Sequence, residues 1–230
     1  MQPELQNQPV YTGNADVAVS QNKVLRNTYM LLAVSLIPTI LGAAVGSQIN
    51  LGFLRTNPIM SALAVLAIFY GWIYMIERNK NSSLGLYLLL GFTFFMGLLL
   101  TPLLQRTLGM ANGANLIMMA AGGTAGVFFA LSAIASNAKR DFSFLNKFIF
   151  VGFIVIMLGV VANIFLQMPL ISLMLCGAFI IFSSAIILWQ VNNIVRGGET
   201  NYISATLTLY VSIYNIFTSL LQILGIVDRD

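Results

Sequence analysis

Five polar residues near the end of the chain, Thr208, Ser212, Asn215, Ser219 and Gln222, recur at steps of four, three, four and three. At 3.6 residues per turn this spacing gathers them on one helix face, a stripe about four turns long. Gln190 precedes them at the end of the apolar run before. Amide and hydroxyl oxygens at Gln190, Ser212, Asn215 and Gln222 could line a polar track for ions or protons. The same groups could equally bond helix to helix and fix a bundle. Both readings stand open on spacing alone.

Other chemistry is excluded by what is missing. There is no histidine, so the Ser-His nucleophile pair, the paired-histidine zinc helix and histidine proton shuttles are unavailable. None of the seven acidic residues falls inside an apolar run, which removes an intramembrane pair of carboxylates trading one proton. Glu77 and Glu199 sit at run ends, where a solvated position is the ordinary role. Gly122-Gly123-Thr124-Ala125-Gly126 lacks the Lys-Ser/Thr that follows a phosphate loop, and reads as helix packing. The single Cys176 can form no intrachain disulfide. No catalytic residue, metal-ligand set or cofactor is expected, and the chain does not read as an enzyme.

The elements that must position the stripe follow from hydropathy. The chain is 58% hydrophobic and 8% charged, against roughly 25% charged residues in a soluble domain. A helix needs roughly 20 apolar residues to cross the hydrocarbon core, and the uncharged intervals predict spans at Thr28–Gly46, Pro58–Ile76, Leu84–Leu104, Ala114–Ser136, Phe144–Leu166, Leu170–Gln190 and Tyr202–Ile226. The interval from Lys147 to Arg196 is long enough for two of these, divided at the polar turn before Pro169. The expected fold is thus an all-α integral membrane protein of seven transmembrane helices. Because polar groups are costly against lipid, the seventh and most polar span is predicted to be central. Small residues at Gly42/Gly46, Gly122/Gly126, Gly91 with Gly97 and Gly152 with Gly159 are expected at helix seams within the monomer. Residues 1–22, with Pro3 and Pro9 and no helical periodicity, read as a disordered cytoplasmic tail ahead of a transmembrane domain at 23–230. The tail lacks the marks of a cleaved signal peptide, so the first span is taken as the insertion signal.

Lys23, Arg26, Arg78, Lys80, Lys139, Arg140, Lys147 and Arg196 fall on the side of the N-terminus. Only Arg55, Arg106 and Arg229 fall on the other. Basic residues in short loops stay cytoplasmic, which predicts an N-terminus inside and a C-terminus outside. The net charge of +4 follows from this bias and does not point to nucleic acid.

Four stretches, Lys23-Val-Leu-Arg-Asn-Thr-Tyr29, Gly97-Leu-Leu-Leu-Thr-Pro-Leu-Leu104, Gly159-Val-Val-Ala-Asn-Ile-Phe-Leu-Gln167 and the long run from Gly197-Gly-Glu-Thr-Asn201 to Phe217, carry a resemblance. The chain resembles the Bax inhibitor, or transmembrane Bax-inhibitor-motif, family, in its bacterial inner-membrane branch. The resemblance implies two layers of three helices around the seventh. It also implies one of two functions: binding and modulating the membrane AAA protease FtsH, or a pH-sensitive calcium leak. In the second case it places a pair of aspartates and an arginine where this chain has Gln190, Ser212 and Gln222. With all three charges replaced together the interior stays neutral. An amide and a hydroxyl do not titrate near neutrality, so any leak here is expected to lack that pH sensor.

The topology has a direct check. A C-terminal alkaline phosphatase fusion should be active and a C-terminal fluorescent-protein fusion dark; the opposite pattern would reverse the orientation.

Overall fold

In a computed structural model, which describes residues 13–49, 58–137 and 141–228, the chain is all helical among the described residues. The helices are α1 (Gly13–Gln48), α2 (Pro58–Arg78), α3 (Ser83–Leu108), α4 (Gly113–Ala135), α5 (Leu145–Leu166), α6 (Pro169–Val195) and α7 (Tyr202–Val227). All seven are long and apolar enough to cross a membrane, at the places the uncharged intervals predict. Within the first 22 residues, expected to be a disordered tail, residues 1–12 lie outside the described residues. From Gly13 onward the chain is helical and continuous with the first span. Nucleation is the costly step of helix formation, and no proline after Pro9 stops a helix already nucleated by the span from growing backwards.

The helices form two layers. In one, α3 lies between α1 and α2; in the other, α6 lies between α4 and α5. The seventh helix runs between the layers and packs against all the others except α5, whose backbone does not approach it. Lys23, Arg26, Arg78, Lys80, Lys147 and Arg196 lie at one end of the bundle, here the tail-side face, and Arg106 at the opposite, far face. Arg55, Lys139, Arg140 and Arg229 lie outside the described residues.

Lipid supplies no hydrophobic drive between helices, so close backbone approach has to supply packing. It does so most clearly between α1 and α3. A Cβ on Gly42 would run into the Phe94 carbonyl oxygen, one on Gly46 into the Thr101 side chain, and one on Gly97 into the Thr39 carbonyl. Through this seam the Thr101 hydroxyl reaches the Ala43 carbonyl at 3.3 Å. On the other layer, Gly152 and Gly159 of α5 sit against Phe182 and Leu175 of α6. The Gly122/Gly126 pair departs from the expectation of packing inside the monomer: nothing lies within 4 Å of a Cβ at either position. Only Gly123 between them turns inward, toward Leu220 of α7. One helix face can meet α7 at a time, and Thr124 and Phe128 hold that face buried in α4, so the glycine pair points at lipid.

An aromatic chain ties the first layer to α7. The Trp72 indole N–H donates to the Leu88 carbonyl at 3.0 Å, Phe69 and Phe92 lie 5.5 Å apart, and Phe92 meets Tyr210 edge-on at 6.3 Å. Overpacking a tight interior costs about 1–3 kcal/mol. Gly42→Ala should therefore lower thermal stability in a fixed detergent by an amount in that range, whereas Gly122→Ala, on an open helix face, should hold it or raise it by up to about 1 kcal/mol, the helix-propensity gain of alanine over glycine. Equal losses at the two positions would contradict the assignment of the α1–α3 seam.

Candidate functional site

The stripe on α7 is present as a helix face, and two of its hydroxyls bond along the helix itself. Thr208 donates to the Ser204 carbonyl at 3.1 Å and Ser212 to the Thr208 carbonyl at 2.8 Å. These are bonds one turn back on the same helix, which satisfy a hydroxyl without a second helix. The bonds from α7 to other helices come from residues beside the stripe. The Tyr210 hydroxyl pairs with that of Thr39 at 2.7 Å and reaches the Thr93 carbonyl at 3.3 Å. Tyr214 donates to the Met96 carbonyl at 3.2 Å, and Thr206 to the Thr28 carbonyl at 3.3 Å.

The four sequence-predicted residues divide into two groups. Asn215 and Gln222 line a polar cleft that enters from the far face between α3, α5, α6 and α7. Its three lobes have volumes of about 280, 630 and 440 Å³, and Gln222 lines all of them. The innermost lobe reaches Cys176, Phe179 and Ser219. Ser212 and Gln190 line none of these lobes; they are 1% and 2% exposed, buried nearer the tail side. The Gln190 amide nitrogen and the Ser183 hydroxyl, both on α6, are buried without a hydrogen-bond partner. Among the described residues, Asn215 and Gln222 thus line the cleft, while Ser212 and Gln190 lie buried outside its three lobes.

Beyond the stripe, the tail-side face carries a polar clasp that the sequence does not announce. Glu77 is more than a solvated helix end: one carboxylate oxygen accepts from the Ser204 hydroxyl at 2.7 Å and the other pairs with Lys80 at 3.1 Å. Asn201 caps α7, its side-chain oxygen accepting the N–H groups of Ile203 and Ser204 at 2.9 and 3.1 Å. Its amide nitrogen donates to the Lys80 carbonyl at 3.0 Å and to Asn81 at 2.8 Å. Glu199 in turn accepts the Asn201 N–H at 2.8 Å. Gly197 makes the turn before it with φ +80°, a conformation that favours glycine. A Cβ there would lie 2.6 Å from the Gln21 amide. Beside it, Asp141 pairs with Arg196 at 3.2 Å. The Ser143 hydroxyl and N–H hold the Asp141 carboxyl below the usual carboxylate range, with Arg196 adding to the effect. Asn192 ties the α4–α5 connection down by accepting the Phe142 N–H at 3.3 Å and donating to the Ala135 carbonyl at 3.2 Å. The signal that could have found the clasp was Asn201 two residues after Glu199 and just before a helix, a capping position.

On the far face, Arg106, Asn163 and Ser172 join Gln222 around the cleft. Arg106 entered the sequence reading only as a topology marker and Asn163 only as part of a turn. Nothing local to either says that they share a wall.

Comparison with known proteins gives the same picture over nearly the whole chain. A family model described as inhibitor of apoptosis-promoting Bax1 matches residues 21–229. An uncharacterised protein of Neisseria meningitidis is 45% identical over 208 residues, 90% of this chain and 92% of its own length. A protein of Escherichia coli named modulator of FtsH protease YccA is 42% identical over 212 residues, 92% of this chain and 94% of that one. An uncharacterised protein of Pseudomonas aeruginosa is 44% identical over 207 residues, 90% of each.

Losing an N-cap side chain costs about 0.5–2 kcal/mol, and Asn201 also bridges to the α2–α3 turn. Asn201→Ala should therefore destabilise the protein by about 2 kcal/mol in thermal or chemical unfolding. Gln190→Leu should change stability by less than about 1 kcal/mol, since it removes an amide nitrogen that has no partner to lose. A larger loss at Gln190 than at Asn201 would reverse this ranking.

Proposed function

The chain belongs to the family of inhibitors of apoptosis-promoting Bax1, and from that membership we propose that it is a multi-pass inner-membrane protein that binds and modulates the FtsH protease. The observation that carries the reading is the 42% identity, over 94% of its length, to the Escherichia coli protein named for that role. The reading takes the N-terminus as cytoplasmic and the C-terminus as periplasmic, from the basic bias of the loops.

The fold suits a competitor for the protease. A processive ATP-driven protease has to seize a segment at the chain's end before pulling on a membrane protein, and residues 1–12, ahead of α1, are the segment on offer. The first helix it then meets is α1, which is held to α3 by contacts between backbones at Gly42 and Gly97. A helix so held resists extraction, which occupies the protease while other substrates wait.

A second reading, a cation leak, draws on the polar cleft. Calcium takes six to eight oxygens, commonly including carboxylates. Among its described lining residues the cleft supplies amides, hydroxyls and the Arg106 guanidinium and no carboxylate, so this reading ranks behind the first.

Deleting Gln2 to Asp16 should lengthen the protein's half-life in a chase experiment and, with the membrane bundle intact, prolong its block on FtsH turnover of other membrane substrates. An unchanged half-life together with failure to co-purify with FtsH in mild detergent would remove the protease reading.

A further inference from the structure

The far-face cleft has a chemistry of its own, independent of either reading above. Among its described lining residues the one charged side chain is Arg106, and no carboxylate accompanies it. Asp228, the described acidic residue of this end, does not line the cleft and accepts a hydrogen bond from the Asn112 amide at 3.1 Å. Arg106 has no ion-pair partner among the described residues. A guanidinium at the mouth of a polar cavity is a fork of donors matched to a phosphate or carboxylate.

A second observation narrows the ligand. The Asn163 side-chain oxygen is buried and has no hydrogen-bond partner, although the same residue lines the lobe that Arg106 lines. The orientation of this amide follows from its surroundings. The Ser172 hydroxyl directs its proton to the Met168 carbonyl at 3.3 Å, so its oxygen is left to accept, and it takes the Asn163 amide nitrogen at 2.8 Å. In this arrangement the amide oxygen is the open group. A buried acceptor in a cavity calls for a donor, which an oxyanion alone does not bring.

A third concerns access. The backbones of α3 and α5, the two flanking walls, do not approach each other. α2 packs against both, meeting α5 at Phe153 and Met157, but none of its described residues lines the cleft. Among the described residues the cleft is therefore uncovered sideways, toward lipid, at its far-face end. The lobe shared by Arg106 and Asn163 has a volume of about 630 Å³, within the range of roughly 300–1,000 Å³ usual for small-molecule sites.

We propose that this cleft binds a glycerophosphate group, with the phosphate on Arg106 and a glycerol hydroxyl donating to the Asn163 side-chain oxygen. Gln222, at the junction of the three lobes, offers an amide to either part. The group arrives as the head of a phospholipid through the sideways opening, or as a soluble glycerophosphate from the far face. The chemistry of recognition is the same.

The test uses the full-length protein in phosphatidylcholine nanodiscs, titrated with fluorescent phosphatidylglycerol, with phosphatidylmethanol as an anionic analogue lacking the glycerol hydroxyls, and with glycerol 3-phosphate as soluble competitor. The parent should bind phosphatidylglycerol saturably and more tightly than phosphatidylmethanol. Arg106→Gln should weaken both lipids by on the order of tenfold, the value of a charge-assisted hydrogen bond, while Arg106→Lys recovers part of the loss. Asn163→Leu should abolish the preference between them and leave the shared anionic component. Lys147→Gln, at the opposite face, should change nothing. Arg106 is exposed, so its variants should keep the parent's elution profile and helical content. Displacement by glycerol 3-phosphate would assign the aqueous source, and binding of phosphatidylglycerol that resists it would assign the lipid. No saturable preference for phosphatidylglycerol over phosphatidylcholine, equal binding by Arg106→Gln, or a hydroxyl preference that survives Asn163→Leu would overturn the proposal.

Discussion

A polar group left without a partner in hydrocarbon is costly, and the arrangement of this bundle follows from placing the polar groups of one helix where protein surrounds them. The seventh helix carries more hydroxyls and amides than its neighbours tolerate against lipid, so it lies between the two layers. Its hydroxyls are satisfied in two ways. Thr208 and Ser212 bond one turn back along α7 itself. Tyr210 and Tyr214 reach outward to carbonyls of α3 and so register the centre against the first layer. The glycine seam between α1 and α3 belongs to the same solution: it brings Thr39 of α1 to the Tyr210 hydroxyl from the other side.

The two ends of the bundle are finished differently. At the tail-side face the connections are tied together by side chains: Asn201 joins the turn before α7 to the turn between α2 and α3, and Asn192 joins α6 to the α4–α5 connection. Glu77 sits where α2, the α2–α3 turn and α7 meet. At the far face α5 keeps clear of α7, and the space between them is the cleft. Of the buried side-chain groups without a hydrogen-bond partner among the described residues, Tyr29 lies on α1 and Ser132, Asn163, Ser183 and Gln190 lie on α4, α5 or α6. The second layer thus holds most of the unpartnered groups. The first layer, closed by backbone contact, is the rigid half.

Gly122 and Gly126 show how far a motif can be read without its surroundings. Their spacing is that of Gly42 and Gly46, yet one pair is sealed against α3 and the other faces open space. Spacing fixes that two small residues share a helix face; it says nothing about which way the face turns. That is decided by the neighbours that compete for it, here Thr124 and Phe128 on the face turned inward.

Length, hydropathy and the polar stripe determined on their own that seven helices cross the membrane, where all but the first begin within a few residues, and that the last belongs at the centre. These are consequences of the bilayer acting on each segment separately, so each segment's residues suffice to read them. The backward extension of α1 to Gly13 was missed because the tail's polar composition masks a helix that the span nucleates. The site was legible only in fragments. Gln190, Ser212, Asn215 and Gln222 were found as polar residues in apolar surroundings, but whether they form one track depends on the gap between α5 and α7, which no local pattern records. The sharing of one lobe by Arg106 and Asn163, and the bond of Glu77 with Ser204, join residues dozens of positions apart on helices whose separate sequences would be unchanged if they packed elsewhere. Only the tertiary structure decided them, because side-chain contacts between helices depend on rotation and crossing, and those are set by the packing of the whole bundle.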